Sequence, residues 1–167
     1  MTKICEIYKI NVEIHGLFMY NDLVVVFATT SGYSREVRPS RKEFLIMYTV
    51  NSIRNICLLG HSGSGKSALA ESLLYMTGAI VRMGKNADGN TVSDFDPEET
   101  KRHISISTSV IPLEYKNIKI NVLDTPGAFD FSGAVMEALR AADAAILVLS
   151  AKDGITVGFE KAWKYCE

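Results

Sequence analysis

The chain has 167 residues, the length of one ordinary domain, and its 47% apolar and 22% charged content excludes wholesale disorder and supplies one hydrophobic core. Eighteen basic against nineteen acidic residues leave a net charge of -1, so no bulk positive field exists for gripping nucleic acid, and DNA is not an expected partner. The longest apolar run of the N-terminal stretch, residues 23–28, is too short to span a bilayer and follows no basic leader, so neither a membrane partner nor a secretory signal is expected.

Residues 1–46 stand apart. Segments 7–12 and 23–29 are rich in β-forming residues, but a polar stretch without periodicity follows and no motif appears. This part is expected to be an N-terminal extension of unknown role, either a small β appendage or sequence upstream of the true start. From residue 47 strand and helix signals alternate, the mark of a layered α/β domain over 47–167. Residues 53–59 form an apolar run suited to a strand buried on both faces. Over 67–77 Leu69, Leu73 and Met76 share a helical face, joined by Ala70 and Leu74, and Gly78 provides a stop. Residues 82–103 read as a polar loop, in which Asp96 as cap and Pro97 at the first position start a short helix. Segments 104–115 and 118–123 are two strands joined by a Lys116-Asn117 turn. A helix carrying Val135, Leu139 and Ala142 precedes a buried strand over 144–149. Phe159, Ala162, Trp163 and Cys166 then fall on one helical stripe. Cys5, Cys57 and Cys166 have neither metal-ligand spacing nor an even count, so Cys57 and Cys166 read as packing residues and a reducing cytoplasm as the compartment.

The strongest chemical signal is Gly60-His61-Ser62-Gly63-Ser64-Gly65-Lys66-Ser67, a G-x-x-x-x-G-K-[S/T] loop between a buried strand and a helix. Its glycines let successive N–H groups turn toward phosphate oxygens. Lys66 is placed to reach the β- and γ-phosphates, and the Ser67 hydroxyl to ligate Mg²⁺. The following helix directs its positive end at the same anion. His61 reads as a loop residue packed under the phosphates. Asp124-Thr125-Pro126-Gly127 follows the 118–123 strand. Alone it is an ordinary turn; at the end of a strand beside the phosphate loop, Asp124 can hold Mg²⁺ and Gly127 can bring its N–H to a γ-phosphate. Ser105, at the end of the polar loop, is a third candidate, a hydroxyl able to join the metal site once the loop orders. Its plain alternative is an exposed strand-edge serine. Lys101-Arg102-His103 reads first as a solvated cationic turn.

Together these residues resemble the GTP-binding domain of translational GTPases, specifically elongation factor G and its paralogues. The likeness runs from residue 47 to 167 through Ile53-Arg54-Asn55-Ile56, the Gly60 to Ser67 loop, Asp94-Phe95-Asp96-Pro97-Glu98-Glu99, Ile104-Ser105-Ile106, the Asp124 to Gly127 turn, Asp130-Phe131 and Ala142-Asp143. It implies a P-loop G domain in three layers with a mostly parallel sheet, bound GTP or GDP with Mg²⁺, ribosome-stimulated hydrolysis and a role in translocation. The ribosome, through its RNA and proteins, is the implied partner. It also implies that Ser105 aligns with the Mg²⁺-binding hydroxyl of the first switch. His103 stands where the family generally has Gly. Ala128 stands where a His normally orients the attacking water, and a methyl group can neither accept a proton nor hold a water. No catalytic residue is therefore assigned.

The family's guanine-reading Asn-Lys-x-Asp lies beyond the last helix, so the chain reads as a fragment truncated before its last strands. An open sheet edge and incomplete cover over Phe159 and Trp163 are the expected consequences. Besides an elongation-factor-G-like GTPase, two readings stand. One is a nucleotide-responsive, ribosome-associated binding protein with little hydrolysis, favoured by Ala128. The other is a P-loop ATPase of another lineage.

Overall fold

The three apolar runs that precede a phosphate-type turn or a helix become neighbouring parallel strands, and everything else in the fold is arranged around them. The structure, a computed structural model, describes residues 14–20, 23–28 and 48–167. Its elements in chain order are β1 (Ile14–Tyr20), β2 (Leu23–Ala28), β3 (Ile53–Leu59), α1 (Lys66–Met76), α2 (Pro97–Arg102), β4 (Ser109–Tyr115), β5 (Ile118–Asp124), α3 (Ser132–Ala141), β6 (Ala144–Ser150) and α4 (Val157–Cys166). The strands form one sheet in the order β1-β2-β6-β3-β5-β4. β3 pairs in parallel with β5 and with β6, whereas β4 pairs antiparallel with β5, and β2 antiparallel with β6 and β1. The parallel pairing is thus confined to the centre.

Side chains along the central strands alternate between two cores, which is the strand period of two at work. Leu58, Val122, Ile146 and Val148 pack against α1 through Ala70 and Leu74. Cys57, Leu59, Leu147 and Leu149 pack against α3 and α4 through Leu139, Phe159 and Trp163. The result is three layers, helix on sheet on helices. Among the described residues no helix is long and apolar enough to cross a membrane.

Local chemistry places most boundaries where the sequence implies. Lys116 and Asn117 both take positive φ, 49° and 64°, the pair of left-handed residues that lets a two-residue turn match the twist of β4 and β5. Asp96 caps α2 in a capping box with Glu99, and Pro97 opens the helix.

Four expectations are corrected. β4 begins at Ser109, not residue 104, because Glu99 Oε1 accepts from the Ile106 N–H at 2.8 Å and the Ser107 N–H at 2.9 Å and keeps that stretch out of the ladder. Met76 is 82% exposed; two residues beyond buried Leu74, it points to the other side of α1. The outer edge of β6 is not open, since β2 pairs along it from Leu23 opposite Ser150 to Ala28 opposite Ala145. Phe159 and Trp163 are buried, with ring centroids 6.4 Å apart. The strand expected over 7–12 and Cys5 lie outside the described residues.

Candidate phosphate-binding and cation site

The loop after β3 turns on Gly60, where a Cβ would run into the Val148 carbonyl and lie 2.8 Å from Ser64 Oγ, at a φ of 150°. No other residue type fits that approach. Gly65, at φ 98°, then caps α1 without a side-chain hydrogen bond, so the first amides of the helix keep their donors for an anion. Ser62 and Gly63 are exposed at the rim, while Ser64 is buried with its Oγ unpartnered. His61 is packed beneath, its Nε2 3.7 Å from Asp153 Oδ2, and its Cβ leaves no room for a side chain on Gly158.

Lys66 and Ser67, the first residues of α1, are both buried. The Lys66 ammonium donates to the Gly60 carbonyl at 3.1 Å and the His61 carbonyl at 3.0 Å, and so lies folded back under the loop. Burial pulls its pKa down, while Asp124 and Asp94 act to hold the charge. Gly127 closes the other side. A Cβ there would come within 2.6 Å of the Ser62 N, so only a bare backbone fits between β5 and the loop. Thr125 Oγ1 donates to the Leu58 carbonyl at 2.5 Å and pins that turn to β3.

Asp124 ends β5, is 1% exposed, and neither carboxylate oxygen has a hydrogen-bond partner. Burial pushes its pKa up from 3.8 to about 6, against the Ser67 hydroxyl, the Lys66 charge and the Ser93 hydroxyl. A buried carboxylate without partners demands explanation. An oxygen-only set of Asp124 and hydroxyls fits a hard divalent cation, and Ser67 with Asp124 could hold Mg²⁺.

The polar loop between α1 and β4 is fastened by carboxylates. Glu71, one turn beyond Ser67 on α1, is buried and accepts from the Gly84 N–H at 2.8 Å and the Val92 N–H at 2.5 Å. Asp94 accepts from Ser105 Oγ at 2.7 Å and from Asn86 Nδ2 at 3.3 Å. The hydroxyl of Ser105 is therefore engaged by Asp94 rather than left to Ser67 and Asp124. Sequence reasoning missed Glu71 and Asp94 as site-building residues. A glutamate on an amphipathic helix reads as solvent-facing, and nothing local to residue 71 says otherwise. Glu99 had a signal, its place three residues after the Asp96 cap.

The family described as elongation factor Tu GTP binding domain matches residues 51–167. The chain belongs to that family. Within it, the chain is an elongation-factor-G-like GTP-binding domain. It is 41% identical over 116 residues to elongation factor G 2 of Borreliella burgdorferi, covering 70% of this chain and 17% of that protein. It is 40% identical over 114 residues to an elongation factor G-like protein of Mycobacterium tuberculosis, covering 68% of this chain and 16% of that one. A solved structure from Thermus thermophilus superposes with a TM-score of 0.67 at 43% identity, over 69% of this chain and 17% of that chain. The chain thus spans about one sixth of the length of the relatives it matches.

In this G domain His103 takes the left-handed C-cap of α2, at φ 54°, a conformation natural to glycine. Its Nδ1 lies 2.8 Å from the Asn86 carbonyl, and Arg102 pairs with Glu98 at 3.0 Å, so in the exposed Lys101-Arg102-His103 stretch both Arg102 and His103 have local partners. Ala128 borders a cleft shared with Gly60, Phe129, Lys161 and Tyr165 and offers it only a methyl group. Cys57 and Cys166 are buried in the α3–α4 core, where burial pushes their pKa values to about 12 and about 11. Thiols so shielded serve packing.

Proposed function

We propose that this chain binds GTP and GDP through Gly60, His61, Ser62, Gly63, Ser64, Gly65, Lys66, Ser67, Asp124 and Gly127. We assign it to the nucleotide-binding part of a cytoplasmic elongation-factor-G-like protein whose GTP hydrolysis is coupled to translocation on the ribosome. The observation that carries the reading is the closed phosphate loop with an unpartnered Asp124 carboxylate at its side. Lys66 would exchange its two loop carbonyls for β- and γ-phosphate oxygens, a charge-assisted contact in dry surroundings. The open amides at the start of α1 and the bare backbone at Gly127 complete the cradle. Mg²⁺, held by Ser67 and Asp124, supplies neutralisation of phosphate charge when bound. Ser105 would join it only after leaving Asp94.

A second reading, binding with little turnover, is favoured by one observation. Ala128 follows Gly127 directly and carries no group able to orient a water.

Isothermal titration of GTP and ATP into the 167-residue chain, with phosphate release followed in the same samples, tests both. Binding of GTP that Lys66→Ala weakens by roughly 10²-fold is expected, the worth of two charge-assisted hydrogen bonds. Equal GTP affinity in Lys66→Ala would sink the phosphate assignment, and preference for ATP would return the ATPase reading. Phosphate release near the uncatalysed rate marks the second reading.

A further inference from the structure

β6 is a strand whose outer edge needs a partner. Its seven residues, Ala144–Ser150, carry no charge and no proline, and Ala145 to Leu149 are all buried. Left bare, the N–H and C=O groups along that edge would be a template for any passing strand. The opposite end of the sheet is built differently. β4 carries Pro112, which has no N–H to offer, and Glu114, and both discourage edge pairing.

The topology also fixes which strand the β6 edge suits. From β5 the chain crosses over β3 by way of α3 to reach β6. α4 follows β6 and packs on the same face of the sheet as α3. Parallel crossovers are right-handed, so a strand continuing from α4 over that face moves on in the same direction. It arrives at the outer edge of β6. β2 already lies there, antiparallel and paired over its whole length, from Leu23 opposite Ser150 to Ala28 opposite Ala145. One edge cannot pair with two strands. β1 covers β2 in turn, and its register shifts between Ile14 and Gly16, an irregularity of the kind that blunts an outer edge.

We propose that β1 and β2 are a removable guard on the sheet. They close the β6 edge within the chain, and when they lift, that edge accepts another extended strand in their place, by strand addition. The two strands carry no chemical motif, and their part is to protect backbone groups that would otherwise pair indiscriminately.

Hydrogen exchange of the whole chain reads both halves of this. In the wild type, β2 amides and the β6 amides facing them are expected to exchange roughly 10-fold or more faster than β3 and β5 amides, because the guard opens without the rest of the sheet. Val25→Pro/Val26→Pro is expected to strip the remaining protection from those β6 amides. Neighbouring residues of a strand turn their N–H groups to opposite sides, so the pair removes one donor toward β6 and one toward β1. A synthetic peptide of residues 13–29, added to this variant, is expected to bind saturably and restore slow exchange in β6. Equal protection of β2 and β3 in the wild type would make the two strands part of the core and overturn the proposal. A double-proline variant that does not fold would do the same. Unchanged β6 exchange in a folded variant overturns it too, as does a peptide that leaves β6 unprotected.

Discussion

Gly127 and Lys66 stand so close that a Cβ on residue 127 would come within 2.6 Å of Lys66 Nζ. The two residues come from different strand–turn units, and their meeting is what closes the phosphate loop against the end of β5. Lys66 could swing away from such a methyl group. The Ser62 N, also 2.6 Å from that Cβ, and the His61 carbonyl carbon at 2.7 Å belong to the backbone and could not. Gly127→Ala is therefore expected to deform the loop and weaken GTP and GDP binding by at least about 10-fold, with the fold intact, since the clash is local. Titration of nucleotide into a variant with native circular dichroism measures it. Wild-type affinity would show the loop opens more readily than its packing implies.

The Asp124 carboxyl gives a pH dependence with a definite sign. Its pKa is raised in the fold from 3.8 to about 6 by burial, so between those values the folded chain keeps a proton that the unfolded chain has released. The stabilising contribution is complete below about pH 4 and is lost as pH rises through about 6. Above that, the fold carries a buried charge. In cation-free buffer Asp124→Asn should thus gain on the wild type as pH rises from 4 to 7, by at most about 3 kcal/mol. Thermal melts of both proteins at several pH values provide the measurement. A gain of the same size at every pH would mean the carboxyl is not titrating in this range.

Glu71 has the burial of a core residue and the chemistry of an anchor. Its two oxygens separately take the Gly84 and Val92 amides. In Glu71→Gln one of them faces an NH₂ group, which cannot accept. Loss of one such bond to a charged acceptor costs about 1.5–3 kcal/mol. Hydrogen exchange of the Gly84 and Val92 amides should quicken well beyond that of β3 and β5 amides, because the loop opens without the sheet. Uniform acceleration throughout the chain would place Glu71 in global stability instead.

What the sequence by itself determined lies within a few residues of its signal. The glycine spacing of the phosphate loop, the Asp96 cap with Pro97, and the Lys116-Asn117 turn each set local backbone conformation, and each is found where its residues stand. Apolar runs likewise marked β3 and β6, since a strand buried on both faces leaves no polar alternation. Tertiary structure alone decided which strands are neighbours. It placed β2 along β6, set Ser109 opposite Asp124, and turned the Ser105 hydroxyl onto Asp94. It also turned Glu71 inward onto two loop amides more than a dozen residues away. The physical reason is the range of the forces. Caps, turns and periodicity act along the chain, whereas a buried carboxylate takes whatever donor the packing of distant segments brings to it, and no local pattern encodes that partner.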